Sequence, residues 1–252
     1  MTTPHSVIFC DIDGCLNDGK HIGLDLRELE HINKQIKTLS IIGVTFCLCT
    51  GRPQPYAEAM AQILGLQTPI VCEHGAMVFD PKTEQVFSML SPHGQQEIAG
   101  LRRHLETIVG VENTHSFEPG NEFGLCITGP GIIGRSYDEI RMIKDEYLAK
   151  CPEFDVNWAS SNCAIDISPK GIGKQSGAAW VLDRLGIRQS ATYAIGDSAG
   201  DLGVLSFVNQ TLCPANAAQE VKDICDIVAK STTTTGVIEL LDIILSKHRT
   251  GI

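Results

Sequence analysis

The sequence predicts an α/β protein, a doubly wound parallel sheet with a separate α+β unit inserted into it. Two observations carry this. Short, near-continuously apolar runs alternate with segments of helical periodicity at both ends of the 252-residue chain, the pattern of parallel strands covered by helices on both faces. The middle, residues 83–166, breaks that alternation and orders its strands and helices differently, as a second unit placed within the first would. The core is therefore expected over 1–82 and 167–252, and the insert over 83–166.

The first strand is expected over 7–10 (VIFC). Apolar residues at Leu26, Leu29, Ile32, Ile36 and Leu39 give a helix over 24–39. A second strand over 44–49, a helix over 55–64 and a third core strand over 70–72 follow. In the middle the pattern gives a helix over 91–109, a strand over 122–128, a helix over 136–150 and strands over 154–158 and 163–167. The polar residues 160–162 between the last two read as a turn. The alternation then resumes. Helices over 175–185, 201–207, 217–225 and 237–245 enclose strands over 192–195, 211–213 and 227–228, and the tail KHRTGI is expected to fray.

A net charge of −10 and a pI near 5.2 exclude nucleic acid and anionic membrane as partners. An anionic substrate would need local cations, because the overall field repels it. The longest apolar run, 41–49, is well short of the ~20 residues that span a bilayer. No basic stretch precedes an apolar one at the N-terminus, so no secretory leader is expected. The ten cysteines form no C-x-x-C pair, and several lie in apolar runs. They read as buried, reduced thiols in a cytoplasmic protein rather than as zinc ligands or disulfides.

The chemistry is concentrated where apolar strands end. In open α/β sheets ligands bind beyond the carboxyl ends of the strands. Asp11 and Asp13 follow the first strand; Thr50, Gly51 and Arg52 the second; Glu73 and His74 the third; Asp197 and Asp201 follow "TYAI" within "GDSAGD". Lys174, in "SPKGIGKQSG", opens the helix before that strand. Alternation along a strand points Asp11 and Asp13 the same way, and like charges so close call for a cation or for acid–base work. Thr50 and Asp201 also have a plainer reading as helix caps. Carboxylates around one point suit a hard divalent cation, most simply magnesium. A lysine, a hydroxyl and helix N-termini beside it suit a phosphate group. One aspartate would attack phosphorus, and its neighbour would protonate the leaving group and then activate water.

These motifs, in this order, resemble the haloacid-dehalogenase (HAD) superfamily, in its Cof-like, type IIB-capped branch of phosphatases. "DIDG" is similar to its first motif, the threonine of "TGR" to its second, Lys174 to its third and "GDSAGD" to its fourth. The resemblance implies a Rossmann-like core with an α+β cap, Asp11 as nucleophile and Asp13 as general acid/base. It implies Thr50, Gly51 and Lys174 as phosphate ligands. Magnesium would be held by Asp11, by Asp13 through its backbone carbonyl, by Asp197, and by Asp201 through a water. The substrate implied is a small phosphate ester, a sugar phosphate or a phosphoglycolate-like molecule. Cys15 stands where the first motif usually has threonine, and Gly200 where the fourth usually has asparagine. Asn216, in "CPANAA", is a candidate to compensate for the latter.

Other readings compete. "GDSAG" fits the G-x-S-x-G elbow of a serine esterase with Ser198 as nucleophile, for which His248 is the one histidine that follows. "GPGIIG" (129–134) fits a dinucleotide-binding turn, or simply a Gly/Pro turn, which is preferred. A phosphomutase, or a relative that binds phosphate without turnover, would share the motifs. His74 reads as structural or as lining the site, and Arg52 as touching substrate or starting a helix.

Overall fold

The computed structural model describes residues 4–20, 22–109, 114–161 and 163–250. Its centre is a parallel sheet of β1 (Ser6–Cys10), β2 (Val44–Leu48), β10 (Thr192–Ile195), β11 (Gln210–Cys213) and β12 (Ile227–Val228), in the order β12-β11-β10-β1-β2. β1 is wholly buried between β10 and β2, with Val7–Thr192 and Val7–Thr45 in register. Its alternating side chains feed two cores. Ile8 and Cys10 enter a cluster with α1 (Leu26–Ile41), α2 (Gln54–Leu64) and α8 (Thr233–Thr250). Val7 and Phe9 enter another with α5 (Lys174–Leu185), α6 (Leu202–Phe207) and α7 (Gln219–Lys222). A sheet buried on both faces is why its strands read as continuous apolar runs.

Helix boundaries follow local chemistry. Asp25 caps α1, accepting from the backbone N–H groups of Arg27 and Glu28. The segment expected as a helix over 217–225 holds only the one turn of α7, because Thr211 and Asp226 bond each other across the sheet edge and draw the chain into β12. The described part of the tail is helical: α8 continues through Thr250, and His248 Nε2 lies 3.1 Å from the Tyr193 hydroxyl. Gly251 and Ile252, expected to fray, lie outside the described residues, as does Asn162 of the expected turn; beside it, Ser161 N donates to Ala164 O at 2.9 Å.

The third strand departs from expectation. β3 (Ile70–Cys72) meets the parallel sheet only through a bridge from Cys49 to Val71, and pairs antiparallel with β4 (Met77–Asp80), which pairs with β5 (Gln85–Ser88). The turn from β3 to β4 is only four residues long and holds two non-glycine residues, Glu73 and His74, at φ 49° and 54°. Its one glycine, Gly75 at φ 90°, follows two left-handed non-glycine residues, which is none of the usual hairpin-turn signatures, so the hairpin was not legible. Phe87 of β5 packs on Trp180 of α5, ring centroids 4.6 Å apart.

The inserted α+β unit is an antiparallel sheet in the order β6-β7-β9-β8, made of β6 (Ser116–Phe117), β7 (Leu125–Thr128), β8 (Val156–Ser160) and β9 (Ile165–Pro169). α3 (Pro92–Glu106) and α4 (Tyr137–Ala149) share its core through Ile98, Leu101, Leu105 and Ile140. Ser136 and Glu139 form a capping box at the start of α4. "GPGIIG" is a turn between β7 and α4; β7 has antiparallel neighbours only, so no dinucleotide-binding βαβ unit forms there. Among the described residues no helix is long and apolar enough to cross a membrane.

The two layers meet closely where α5 crosses β3. A Cβ at Gly177 would lie 2.4 Å from Val71 Cγ1, and a β-branched neighbour has little rotamer freedom to retreat. Gly177→Val should therefore lower stability by about 1–3 kcal/mol. The check is urea unfolding: the midpoint should fall while the slope stays unchanged.

Candidate active site

The carboxyl ends of β1, β2 and β10 bring the predicted residues together. Asp11 leaves β1 with its backbone N–H still bonded to Ile195 O (3.0 Å), so its carboxylate is fixed at the sheet edge. Carboxylate oxygens of Asp11, Asp197 and Asp201 lie within 4.8 Å of one another. Lys174, at the first turn of α5 and 2% exposed, places its ammonium 2.9 Å from Asp11 Oδ1 and 2.6 Å from Asp201 Oδ1. Burial alone would lower the lysine, but the two carboxylates outweigh it and hold the ammonium charged.

The loops have little room. Gly14 sits at φ 78°, and a Cβ there would lie 2.1 Å from Asp197 Oδ2. The glycine of "DIDG" thus lets the first loop touch the last. Asn216 donates to Gly14 O (2.9 Å) and accepts from Thr233 N (2.7 Å). It braces the first loop and makes no hydrogen bond to Lys174. Cys15 is fully buried and packs in the main core.

Neither Asp201 nor Thr50 is the N-cap that its sequence position suggested: the Asp201 side chain makes no capping bond into α6 and is instead the N3 partner of a capping box with Ser198, and α2 begins after Pro53. Asp201 Oδ2 accepts from the backbone N–H groups of Asp197 and Ser198, both at 3.1 Å, and its Oδ1 holds Lys174. Thr50 Oγ1 likewise accepts from Arg52 N (3.1 Å), and Thr50 O accepts from His74 N (3.1 Å). Asp13 stands apart from the acidic cluster. Arg52 grips its carboxylate with both Nε (2.5 Å) and Nη2 (2.7 Å), and Asn17 donates to it at 3.2 Å. Arg52 stacks on Tyr56 and reaches Glu118 of the inserted unit at 3.2 Å, where Lys20 also binds at 2.7 Å.

Sequence reading placed Glu73 at the sheet edge without a role and assigned none to Glu118 or Asp166. Glu73, 2% exposed, accepts from the backbone N–H groups of Glu122, Phe123 and Gly124 at 2.7–2.8 Å, tying the insert to the core. Burial raises its carboxyl, and those three donors partly offset the rise. Glu118 and Asp166 lie in the insert; Asp166 Oδ1 faces His74 Nε2 at 3.5 Å. Only an acidic residue after an apolar strand end hinted at Glu73; nothing in the local pattern marked the other two.

The esterase arrangement does not assemble. Ser198 Oγ donates to Asp201 at 3.2 Å, whereas His248 pairs with Tyr193 near the start of β10, the opposite end of that strand. Among the described residues the acidic cluster is the one group suited to a metal, and the ten cysteines are unpaired. A divalent cation fits the acidic cluster. Asp197 Oδ1 is buried with no hydrogen-bond partner, and Asp11 Oδ1 has the Lys174 ammonium nearby but no aligned hydrogen bond. Burial, then the neighbouring carboxylates, push Asp11 up to about 6 and Asp197 up to about 8 in the absence of a cation.

Comparison with known proteins agrees with this geometry. Residues 8–98 and 95–241 match the family model described as haloacid dehalogenase-like hydrolase. A phosphoglycolate phosphatase of Aeropyrum pernix is 30% identical over 95% of this chain and 93% of its own. A crystal structure from Thermoplasma acidophilum superposes with a TM-score of 0.73 at 18% identity, covering 95% of this chain and 98% of that one. The sucrose-phosphatase of Synechocystis, solved with sucrose and phosphate, gives 0.67 at 17%, also covering 95% and 98%.

The raised carboxyls set a pH dependence. Their folded values exceed the unfolded 3.8, so the folded state holds extra protons, and stability is lost as pH rises from 3.8 through about 6 for Asp11 and about 8 for Asp197. In EDTA the melting temperature should fall between pH 5 and pH 8. Added magnesium should restore more at pH 8 than at pH 5, because only deprotonated carboxylates bind it. A melting temperature equally insensitive to magnesium at both pH values would contradict the site.

Proposed function

The chain belongs to the haloacid dehalogenase-like hydrolases, and from that premise we propose that it is a magnesium-dependent phosphomonoesterase acting through an aspartyl-phosphate on Asp11. The observation that carries this reading is one buried ammonium, Lys174, set between Asp11 and Asp201 beside the half-buried Asp197. A structural ion pair would need no third carboxylate with a vacant oxygen.

Asp11 is the nucleophile in this reading. Its carboxylate oxygen bonds to phosphorus as the ester P–O bond breaks, and the departing oxygen takes a proton from Asp13. Asp13 then removes a proton from water, which attacks phosphorus and releases inorganic phosphate with Asp11 regenerated. Lys174, Thr50 and the Gly51 backbone bind the phosphoryl oxygens, and Lys174 offsets charge that would otherwise repel the ester. Magnesium, held by Asp11, the Asp13 carbonyl and Asp197, with Asp201 acting through water, would neutralise phosphoryl charge. Arg52 holds Asp13 turned aside, so Asp13 must exchange that partner for the leaving group.

The inserted unit serves as the cap that excludes water and selects the leaving group. Support for this comes from its contacts at the mouth of the site: Glu118 on Arg52 and Lys20, Asp166 on His74, and the 122–124 backbone on Glu73. A small sugar phosphate or a phosphoglycolate-like ester is the substrate class, in keeping with the activities named for the relatives. Ten unpaired cysteines support a reducing, cytoplasmic setting.

The test is phosphate release from a panel of small phosphomonoesters, with magnesium and with EDTA. Wild type and Ser198→Ala should turn over with magnesium alone. Asp11→Asn should lose roughly a thousandfold or more of the activity. Release that survives in Asp11→Asn would reject the nucleophile, and carboxyl-ester hydrolysis lost in Ser198→Ala would reject the phosphatase.

A further inference from the structure

Two residues that the motif chemistry leaves unused, His74 and Gly200, face each other at the site. The tight turn after β3 fixes His74 at φ 54°, ψ 29°, and its backbone N–H donates to Thr50 O. Its ring lies against Gly51 so closely that a Cβ there would be 2.3 Å from Cε1 and Nε2. On the other side a Cβ at Gly200 would be 3.6 Å from Nδ1, ordinary contact distance. The imidazole thus occupies a slot between the threonine loop and the acidic loop, and a larger residue at 51 would close it.

The two ring nitrogens have different surroundings. Nε2 faces Asp166 Oδ1 of β9 at 3.5 Å. Nδ1 faces Gly200 and makes no hydrogen bond among the described residues, while 32% of the side chain stays exposed and within reach of a ligand. The charged groups around the ring are Asp166 from β9, Lys174 from α5 and Asp11 beyond β1. Burial disfavours the imidazolium, but Asp166 more than offsets it and the net shift is upward. Only the imidazolium donates from both nitrogens. Lys174, meanwhile, is already engaged by two carboxylates. On the Gly51–Gly200 side of the site the His74 ring therefore adds a side-chain donor for an anion beside the Gly51 backbone N–H.

We propose that His74, held by Asp166, donates from Nδ1 to a non-bridging oxygen of the phosphoryl group, with Gly51 and Gly200 clearing the slot for its ring. The inference rests on the phosphatase reading for the identity of the anion. Because Asp166 belongs to the inserted unit, the grip on phosphate is coupled to the placement of that unit over the core.

Calorimetric titration of the magnesium-loaded full chain with inorganic phosphate tests this without turnover. His74→Gly suits the left-handed backbone and removes the donor; it should weaken phosphate binding about tenfold or more, as loss of a hydrogen bond to a charged group does. His74→Asn, also at home in that backbone and carrying an amide donor, should recover part of the loss. Asp166→Asn should weaken binding less, and the double variant Asp166→Asn/His74→Gly no more than His74→Gly alone. Phosphate binding by His74→Gly within about twofold of wild type overturns the proposal. Equal losses in the glycine and asparagine variants overturn it too, since His74 would then only shape the turn. If wild type binds phosphate through His74 yet hydrolyses no ester, the phosphatase reading fails and the assignment of His74 stands. Hydrolysis with phosphate binding indifferent to His74 defeats this assignment alone.

Discussion

A buried lysine between two aspartates is the interaction on which the architecture of this site depends. Three carboxylates within 4.8 Å of one another, at the end of a sheet with both faces covered, would repel and take up protons if left alone. The Lys174 ammonium, 2.9 Å from Asp11 and 2.6 Å from Asp201, makes the cluster tolerable. The compensation is incomplete: Asp11 is still raised, and Asp197, lacking a direct cation, is raised further. That uncompensated charge suits the cluster to a divalent cation rather than to a closed structural ion pair.

The rest of the fold places those four side chains. β1 and β10 are neighbours in register, so Asp11 and Asp197 emerge side by side, and α5 delivers Lys174 from its first turn. The close approaches at Gly14 and Gly177 allow the loops and layers to come near enough for this. Asp201 serves two needs at once, holding Lys174 with one oxygen and closing the "GDSAG" turn with the other. The satisfaction is partial: Asp197 Oδ1 and Asp11 Oδ1 stay buried without an aligned hydrogen bond.

A second polar system joins the inserted unit to the core. Glu73 takes three backbone N–H groups of the 122–124 segment, and Arg52 bridges Asp13 to Glu118. The first contact is buried and rigid. The second is a set of side-chain ion pairs whose partners can be exchanged. Together they combine a buried anchor at Glu73 with an ion-paired link at Asp13, an arrangement that suits the lid role proposed for the inserted unit.

The sequence by itself determined the α/β class, the order of core elements and the residues that converge on the sheet edge. Apolar runs, helical spacing and strand-end polar residues are local signals, and a parallel sheet necessarily collects its strand ends on one edge. Local signal ran out at the β3–β4–β5 hairpin, whose turn uses Glu73 and His74 in left-handed conformations, and at α7, shortened by the Thr211–Asp226 bonds. Only the tertiary structure decided which carboxylates meet Lys174, that Arg52 turns Asp13 aside, and that His74 sits between Gly51 and Gly200 facing Asp166. Those contacts join residues far apart in the chain, from Asp13 to Arg52 and from His74 to Asp166. Their strength comes from desolvation and ångström-scale distance, quantities that exist only once the chain has folded.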